Sequence, residues 1–234
     1  MKICGLMKTT LLDFPGHVAC TIFTGGCNFR CPFCHNAELL DMDLPSVYSE
    51  EEIFAFLEKR KHTLEGVAIT GGEPTLQKDL KTFIRNIRER FGLEIKLDTN
   101  GFRPSVLREL LEEGLLDYVA VDIKSGPSGY GKVAGVPKIE LAPIRETIAM
   151  LIQGTLPYEF RTTVVKGLHE AEDFEEIGQL IRGCGNYFLQ SYRDDGNVLN
   201  REAGFDAFTK EELLSFAEIV RPYVGCVTLR GIDY

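Results

Sequence analysis

The sequence predicts an α/β fold, a partial, open (β/α)6 barrel of the TIM type built on a parallel sheet. Three observations carry that prediction. Short apolar runs alternate with segments of helical periodicity along the chain, and alternating βα units imply parallel strands joined by right-handed crossovers. The unit occurs six times and is followed by one more strand, which falls short of a closed eight-fold barrel. No linker, repeat or low-complexity stretch divides the pattern. Residues 1–234 therefore read as one domain. Within it, 1–12 are an N-terminal strand or hairpin lid, 13–192 the barrel core, and 193–234 a C-terminal loop, helix and strand.

Residues 17–23 give the first core strand, an almost continuous apolar run of the kind a parallel sheet buries on both faces. A cysteine-bearing loop follows. Ser49-Glu50-Glu51-Glu52 is a capping box, and it opens a helix to about Lys61 with Ile53, Phe54 and Leu57 on one face. The second strand, 66–70, leads into Gly71-Gly72-Glu73-Pro74 and then a helix over 78–91, with Leu80, Phe83, Ile84, Ile87 and Phe91 at helical spacing. The third strand, 94–98, ends in Thr99-Asn100-Gly101. Pro104 starts the next helix where its missing N–H costs little, and Gly114 stops it. The fourth strand, 118–123, closes on Asp122-Ile123-Lys124. A loop rich in glycine and proline spans 125–137, and loops of that length are often functional. A helix over 143–153, a strand over 158–165, a helix over 173–182 and a strand over 186–192 come next. The polar loop 193–208 carries Asp194-Asp195-Gly196. Thr209-Lys210-Glu211-Glu212 then caps the last helix, and 226–230 form the final strand.

Composition narrows the class. The apolar fraction of 44% and charged fraction of 26% are ordinary for a globular protein. A formal net charge of −9 argues against nucleic acid as a partner, since phosphate-backbone binders carry basic patches. The locally basic stretch 78–90 reads as a solvated helix face. No apolar run reaches the length of a membrane span, and the N-terminus lacks a signal-peptide core. The expectation is a cytoplasmic protein with reduced thiols and no membrane partner. Seven cysteines, an odd number, fit a metal loop better than a disulfide framework. Cys4, Cys20, Cys184 and Cys226 read as buried small hydrophobes.

The remaining three thiols sit together in Cys27-Asn28-Phe29-Arg30-Cys31-Pro32-Phe33-Cys34, preceded by Gly25 and Gly26. Glycine lets the backbone take tight conformations, so the loop can wrap its sulfurs around one object. Three thiolates suit a soft metal centre, foremost an iron–sulfur cluster. A closed cubane would use four cysteines, so one iron would stay open to a ligand. Structural zinc with Cys20 or His35 as fourth ligand is the alternative, although no second C-x2-C or H-x3-H pair is present.

Other chemical residues fall at equivalent places: Gly71-Gly72-Glu73 follows the second strand, Asp98-Thr99-Asn100-Gly101 closes the third and Asp122-Ile123-Lys124 closes the fourth. In parallel α/β barrels the C-terminal strand ends share one face, where ligands bind. The glycines permit close backbone approach to a ligand, and the Glu73 carboxylate or neighbouring carbonyls can accept from an ammonium. An ordinary Gly-Gly turn is the bland reading. Lys124 suits a carboxylate, or is a solvated lysine. Arg161, inside an apolar strand, needs a partner such as Glu73 or Asp122.

Asp13-Phe14-Pro15-Gly16, the cysteine loop and His35-Asn36 resemble the opening segment of the radical S-adenosylmethionine (SAM) enzymes. Within that superfamily they resemble the activating proteins of glycyl-radical enzymes, most of all those of anaerobic ribonucleoside-triphosphate reductase. The likeness is densest over 13–36 and thinner but ordered as far as Lys124. It implies the radical SAM fold and a [4Fe–4S] cluster on Cys27, Cys31 and Cys34, with one iron open to SAM. It implies that Gly71, Gly72 and Glu73 hold the methionyl amino group and Lys124 the carboxylate. Asp122 would orient Lys124, or join Asp98 and Thr99 around a monovalent cation. Asp98 and Asn100 could reach the ribose hydroxyls, or merely form the turn before Gly101. Phe33 stands where the family places an aromatic near the adenine, and Arg161 could help with the SAM carboxylate. Gln190 replaces a histidine of the pyruvate formate-lyase activators, which leaves the ribose contact open there and favours the ribonucleotide reductase branch. His35 and Asn36 shape the loop.

The chemistry implied is reductive cleavage of SAM to methionine and a 5′-deoxyadenosyl radical, which takes a hydrogen from a backbone glycine of the partner. No side chain need act as general acid or base. The stretch between Cys34 and Ser49 is too short for the ferredoxin-like insertion of some activators, so the reductant is an external flavodoxin or ferredoxin. The rivals are an activator of another glycyl-radical enzyme, a small-molecule radical SAM enzyme such as a deazaguanine-forming synthase, and a non-catalytic iron–sulfur electron-transfer or zinc module.

Overall fold

Apolar runs become strands and amphipathic segments become helices throughout the chain. The computed structural model describes residues 1–194 and 198–232, so Asp195 and Gly196 of the polar loop lie outside the described residues. The strands are β1 (Ile3–Thr10), β2 (Ala19–Thr24), β3 (Gly66–Gly71), β4 (Glu94–Thr99), β5 (Tyr118–Asp122), β6 (Tyr158–Val164), β7 (Asn186–Ser191) and β8 (Cys226–Arg230). They follow chain order in one eight-stranded sheet, and among the described residues β8 does not pair with β1, so the sheet is open. The helices are α1 (Glu50–Arg60), α2 (Leu80–Phe91), α3 (Pro104–Glu112), α4 (Tyr130–Ala134), α5 (Ala142–Gln153), α6 (Ala171–Leu180) and α7 (Lys210–Val220). From β2 onward the six expected βα units and the final strand are all present.

Two expectations need correction, and one is met in a particular orientation. Of the strand or hairpin lid expected at the N-terminus, the strand is found, and β1 pairs antiparallel with β2. The connection between them is too short for a parallel crossover, which needs a dozen or more residues. The loop over 125–137 contains α4, ended by Gly135 in the left-handed region at φ +67°. One short turn shows no 3.6-residue period, which is why the pattern hid it. Among the cysteines expected to be buried, Cys20 and Cys184 are, but Cys4 is half-buried and Cys226 exposed. Cys226 opens β8, the last strand in the sheet order among the described residues.

The described chain forms two units. The first comprises Met1–Asn28 and Glu38–Ala120, the second Phe29–Ala37 and the chain from Val121 onward. In the first unit β2, β3 and β4 pair in parallel. Ile22, Ile69 and Leu97 are fully buried in its core, and Phe54 stacks on Phe83 with ring centroids 5.5 Å apart. In the second, β6, β7 and β8 pair in parallel, with Phe160, Leu189 and Phe174 buried. Phe174 stacks on Phe216 at 4.3 Å. No described helix is long and apolar enough to cross a membrane.

The capping box at α1 is formed. The Ser49 hydroxyl accepts from Glu52 N–H at 3.2 Å, and the Glu52 carboxylate accepts from Ser49 N–H at 2.8 Å. Ser49→Ala therefore should lower the unfolding free energy of the first unit by about 1 kcal/mol. A lowered urea midpoint, with no change for the solvent-facing Glu51→Gln, checks this.

Candidate functional site

In the first unit the site begins where β2 runs into the cysteine loop. Gly26 takes φ +90°, its N–H donates to the Leu39 carbonyl at 2.7 Å, and Cys27 N–H donates to the Leu40 carbonyl at 3.2 Å. The end of β3 lies against this turn. Gly72 N–H donates to the Thr24 carbonyl at 2.9 Å and Glu73 N–H to the Gly26 carbonyl at 2.8 Å. A Cβ on Gly72 would stand 2.2 Å from the Gly26 carbonyl oxygen. The close approach that the glycine pair permits is thus made to the backbone just before Cys27.

Glu73 is fully buried. Its Oε1 accepts from Thr75 N–H (3.0 Å), the Thr75 hydroxyl (2.6 Å) and the Thr99 hydroxyl (2.7 Å). Its Oε2 accepts from Asn100 N–H at 2.7 Å. Burial pushes the carboxyl up from its ordinary value, while the Asn100 amide and the Thr75 and Thr99 groups pull the other way. A carboxylate so engaged sets the geometry of two strand ends, which leaves neighbouring backbone carbonyls as acceptors for an ammonium. Asn100 donates through Nδ2 to Asn28 Oδ1 at 2.8 Å and accepts from Phe102 N–H at 3.0 Å. It is both the turn former anticipated and a brace on the residue after Cys27. Asp98 pairs with the buried Lys96.

In the second unit Cys34 N–H donates to the Cys31 carbonyl at 3.0 Å, folding that part of the loop into a turn. The end of α4 holds the turn from outside. Arg30 N–H donates to the Ala134 carbonyl at 2.9 Å, and a Cβ on Gly135 would stand 2.0 Å from the Arg30 carbonyl oxygen. Phe33 is buried, and the His35 ring lies 5.5 Å from that of Tyr192.

At the end of β5, Asp122 accepts from Lys124 Nζ at 3.1 Å and from Arg161 Nε at 2.5 Å. Asp122 is one of the two partners anticipated for Arg161. Burial alone would raise the Asp122 carboxyl, but Arg161 and Lys124 hold it well below the carboxylate range. Burial alone would lower the Lys124 ammonium, and Asp122 more than offsets it. Gln190 is half-buried on β7 beside Thr163 and Arg230.

Three residues of this unit were not anticipated. Glu159, fully buried, takes a two-pronged ion pair from Arg230, both contacts at 2.7 Å. His169 is fully buried and bonded to the Lys124 backbone. Tyr130 is fully buried near Lys124 and Cys31, and its hydroxyl makes no hydrogen bond of good geometry among the described residues. A lone histidine and a tyrosine in a glycine-rich loop carry no sequence pattern of their own.

The thiols of the loop are donors of the kind a metal cluster takes. Burial pushes the Cys31 thiol up to about 11, against the pull of nearby Lys124, and burial also raises Cys34. Thiols kept neutral by an apolar setting become thiolates when a metal brings its own positive charge. None of the seven cysteines, all among the described residues, is in a disulfide. Among the described residues, no three His, Cys, Asp or Glu side chains are gathered as a ready metal site.

Comparison with known proteins decides the family. The pattern of the radical SAM superfamily matches residues 21–181. The chain belongs to the radical SAM superfamily. It is 30% identical, over 99% of its own length and 96% of the other chain, to a Methanocaldococcus jannaschii protein named "Putative glycyl-radical enzyme activating enzyme". It is 28% identical over 66% of its length to a Thermococcus kodakarensis "Probable GTP 3',8-cyclase", of which it spans 50%. Its fold is similar to Streptococcus suis SuiB bound to S-adenosylmethionine, at TM-score 0.67 and 15% identity, covering 88% of this chain and 48% of SuiB. Superfamily membership makes this radical SAM chain an enzyme of radical chemistry, and it implies a [4Fe–4S] cluster and SAM.

Glu73→Gln should destabilise the first unit by about 1–3 kcal/mol, because the amide nitrogen must face a buried donor. Urea denaturation of the variant checks this, and unchanged stability would contradict it.

Proposed function

We propose that this radical SAM enzyme activates a glycyl-radical enzyme, and that its partner is anaerobic ribonucleoside-triphosphate reductase. One observation carries the first half: the likeness to the M. jannaschii protein covers nearly the whole of both chains, whereas the chain spans 50% to 64% of the cyclases it resembles. The second half rests on the densest resemblance, at residues 13–36, and on Gln190 in place of the histidine of the pyruvate formate-lyase activators.

Cys27, Cys31 and Cys34 would hold the cluster, whose open iron and low potential supply the electron that cleaves SAM to methionine and the 5′-deoxyadenosyl radical. Lys124, aligned by Asp122 and Arg161, would take the methionyl carboxylate. Carbonyls at Gly71, Gly72 and Glu73 would accept from the amino group. Asp98 and Asn100 would face the ribose, with Phe33 and Gln190 nearer the nucleoside. The oxygens of Asp98, Thr99 and Asp122 are the candidates for a monovalent cation, although each carboxylate already has a basic side chain as partner. The working reductant would be a flavodoxin or ferredoxin, in the cytoplasm. A single radical SAM domain spanning the chain is part of this reading. The cyclase likeness sustains a second reading, a small-molecule radical SAM enzyme.

Anaerobic incubation of the cluster-loaded protein with SAM, reductant and the reductase separates the two. A glycyl-radical EPR doublet on the partner, growing in step with 5′-deoxyadenosine, is the expected result. Consumption of GTP without partner and without a glycyl signal would overturn the activator reading.

A further inference from the structure

Lys124 lies just past the end of β5. The backbone there is held closely. Ile123 N–H donates to the Arg161 carbonyl at 2.8 Å. The Ile123 carbonyl accepts from the Thr162 hydroxyl at 2.7 Å, and that hydroxyl in turn accepts from the Tyr187 hydroxyl at 2.6 Å. The Lys124 carbonyl accepts from His169 Nε2 at 2.8 Å.

The imidazole has a defined tautomer. Val165 N–H donates to Nδ1 at 3.1 Å, so the ring proton is on Nε2 and points at Lys124. The ring is fully buried, and burial lowers its pKa, which keeps it neutral. One ring thus ties the chain just after β6 to the chain just after β5. The Lys124 side chain is held separately, through Asp122 to Arg161.

We propose that His169 is a positioning residue for Lys124: it fixes the backbone from which the ammonium reaches the carboxylate of bound SAM. The inference rests on the reading of Lys124 as the carboxylate-binding cation. A purely structural histidine would satisfy the same carbonyl. The two differ in what its removal does to ligand discrimination.

The test is equilibrium binding of SAM and of decarboxylated SAM, which lacks only the carboxylate, to the anaerobically reconstituted protein, with iron content measured beside it. Wild type should prefer SAM, and Lys124→Met should narrow that preference. His169→Leu should narrow it by roughly tenfold, the scale of one lost buried hydrogen bond, at wild-type iron content. On the Lys124→Met background it should add nothing. His169→Gln, whose amide N–H can reach the same carbonyl, should recover part of the preference. Where His169→Leu loads no iron, His169→Asn, too short to reach the carbonyl, carries the same comparison. Equal weakening of both ligands, or of neither, would overturn the positioning role while leaving Lys124 intact. A wild type that binds SAM without preferring it would instead overturn the reading of Lys124.

Discussion

The buried carboxylate of Glu73 is the constraint on which the first unit's functional end depends. It accepts from four donors carried by Thr75, Thr99 and Asn100. An ionisable group without solvent is tolerable only when its lone pairs are met. Meeting them here fixes the exit of β3 against the exit of β4. Glu73 N–H holds the Gly26 carbonyl and Asn100 holds Asn28, so the residues on either side of Cys27 are tied to the same carboxylate. Gly72 must be glycine because the Gly26 carbonyl occupies the place of a Cβ. Two strand ends are thereby fixed against each other without any ligand, which is what pre-organisation requires.

The second unit solves a similar problem with full charges. Asp122 lies between Lys124 and Arg161, and Glu159 between Arg230 and Arg161, at 2.7 Å and 3.9 Å. Such pairs contribute little net stability once desolvation is counted, but breaking one leaves a charge exposed to an apolar surrounding. Their effect is to hold cations at fixed points. Two cations around the single Asp122 carboxylate leave a local positive excess, suited to an incoming anionic group such as a carboxylate. The same unit carries Cys31 and Cys34, whose thiols burial keeps protonated until a metal is supplied.

Much of this was legible in the sequence. Strand and helix positions followed from period, and the capping box at Ser49 from its letters, because local chemistry decides both. The three cysteines, the glycine pair and the Asp-x-Lys element stood out because their spacing is itself the chemistry. Long-range partnership was not legible. Arg161 could be said to need a carboxylate, but the choice of Asp122 depends on strand pairing. Glu73 looked like a ligand and proved to be bonded on both oxygens within the protein. His169 and Tyr130 gave no signal, since a single buried polar residue acquires its role only from neighbours distant in sequence. The antiparallel β1 was within reach, because the short connection before β2 already forbids a parallel crossover.

The central claim is that Cys27, Cys31 and Cys34 hold a cluster that cleaves SAM. The direct measurement is 5′-deoxyadenosine release by the anaerobically reconstituted, dithionite-reduced protein, with iron content determined for wild type and for each single Cys→Ala variant at the three positions. The account predicts about four irons and SAM cleavage in wild type, with cleavage abolished in all three variants and retained in Cys20→Ala. A wild type that carries a full four-iron cluster yet neither binds nor cleaves SAM would contradict it.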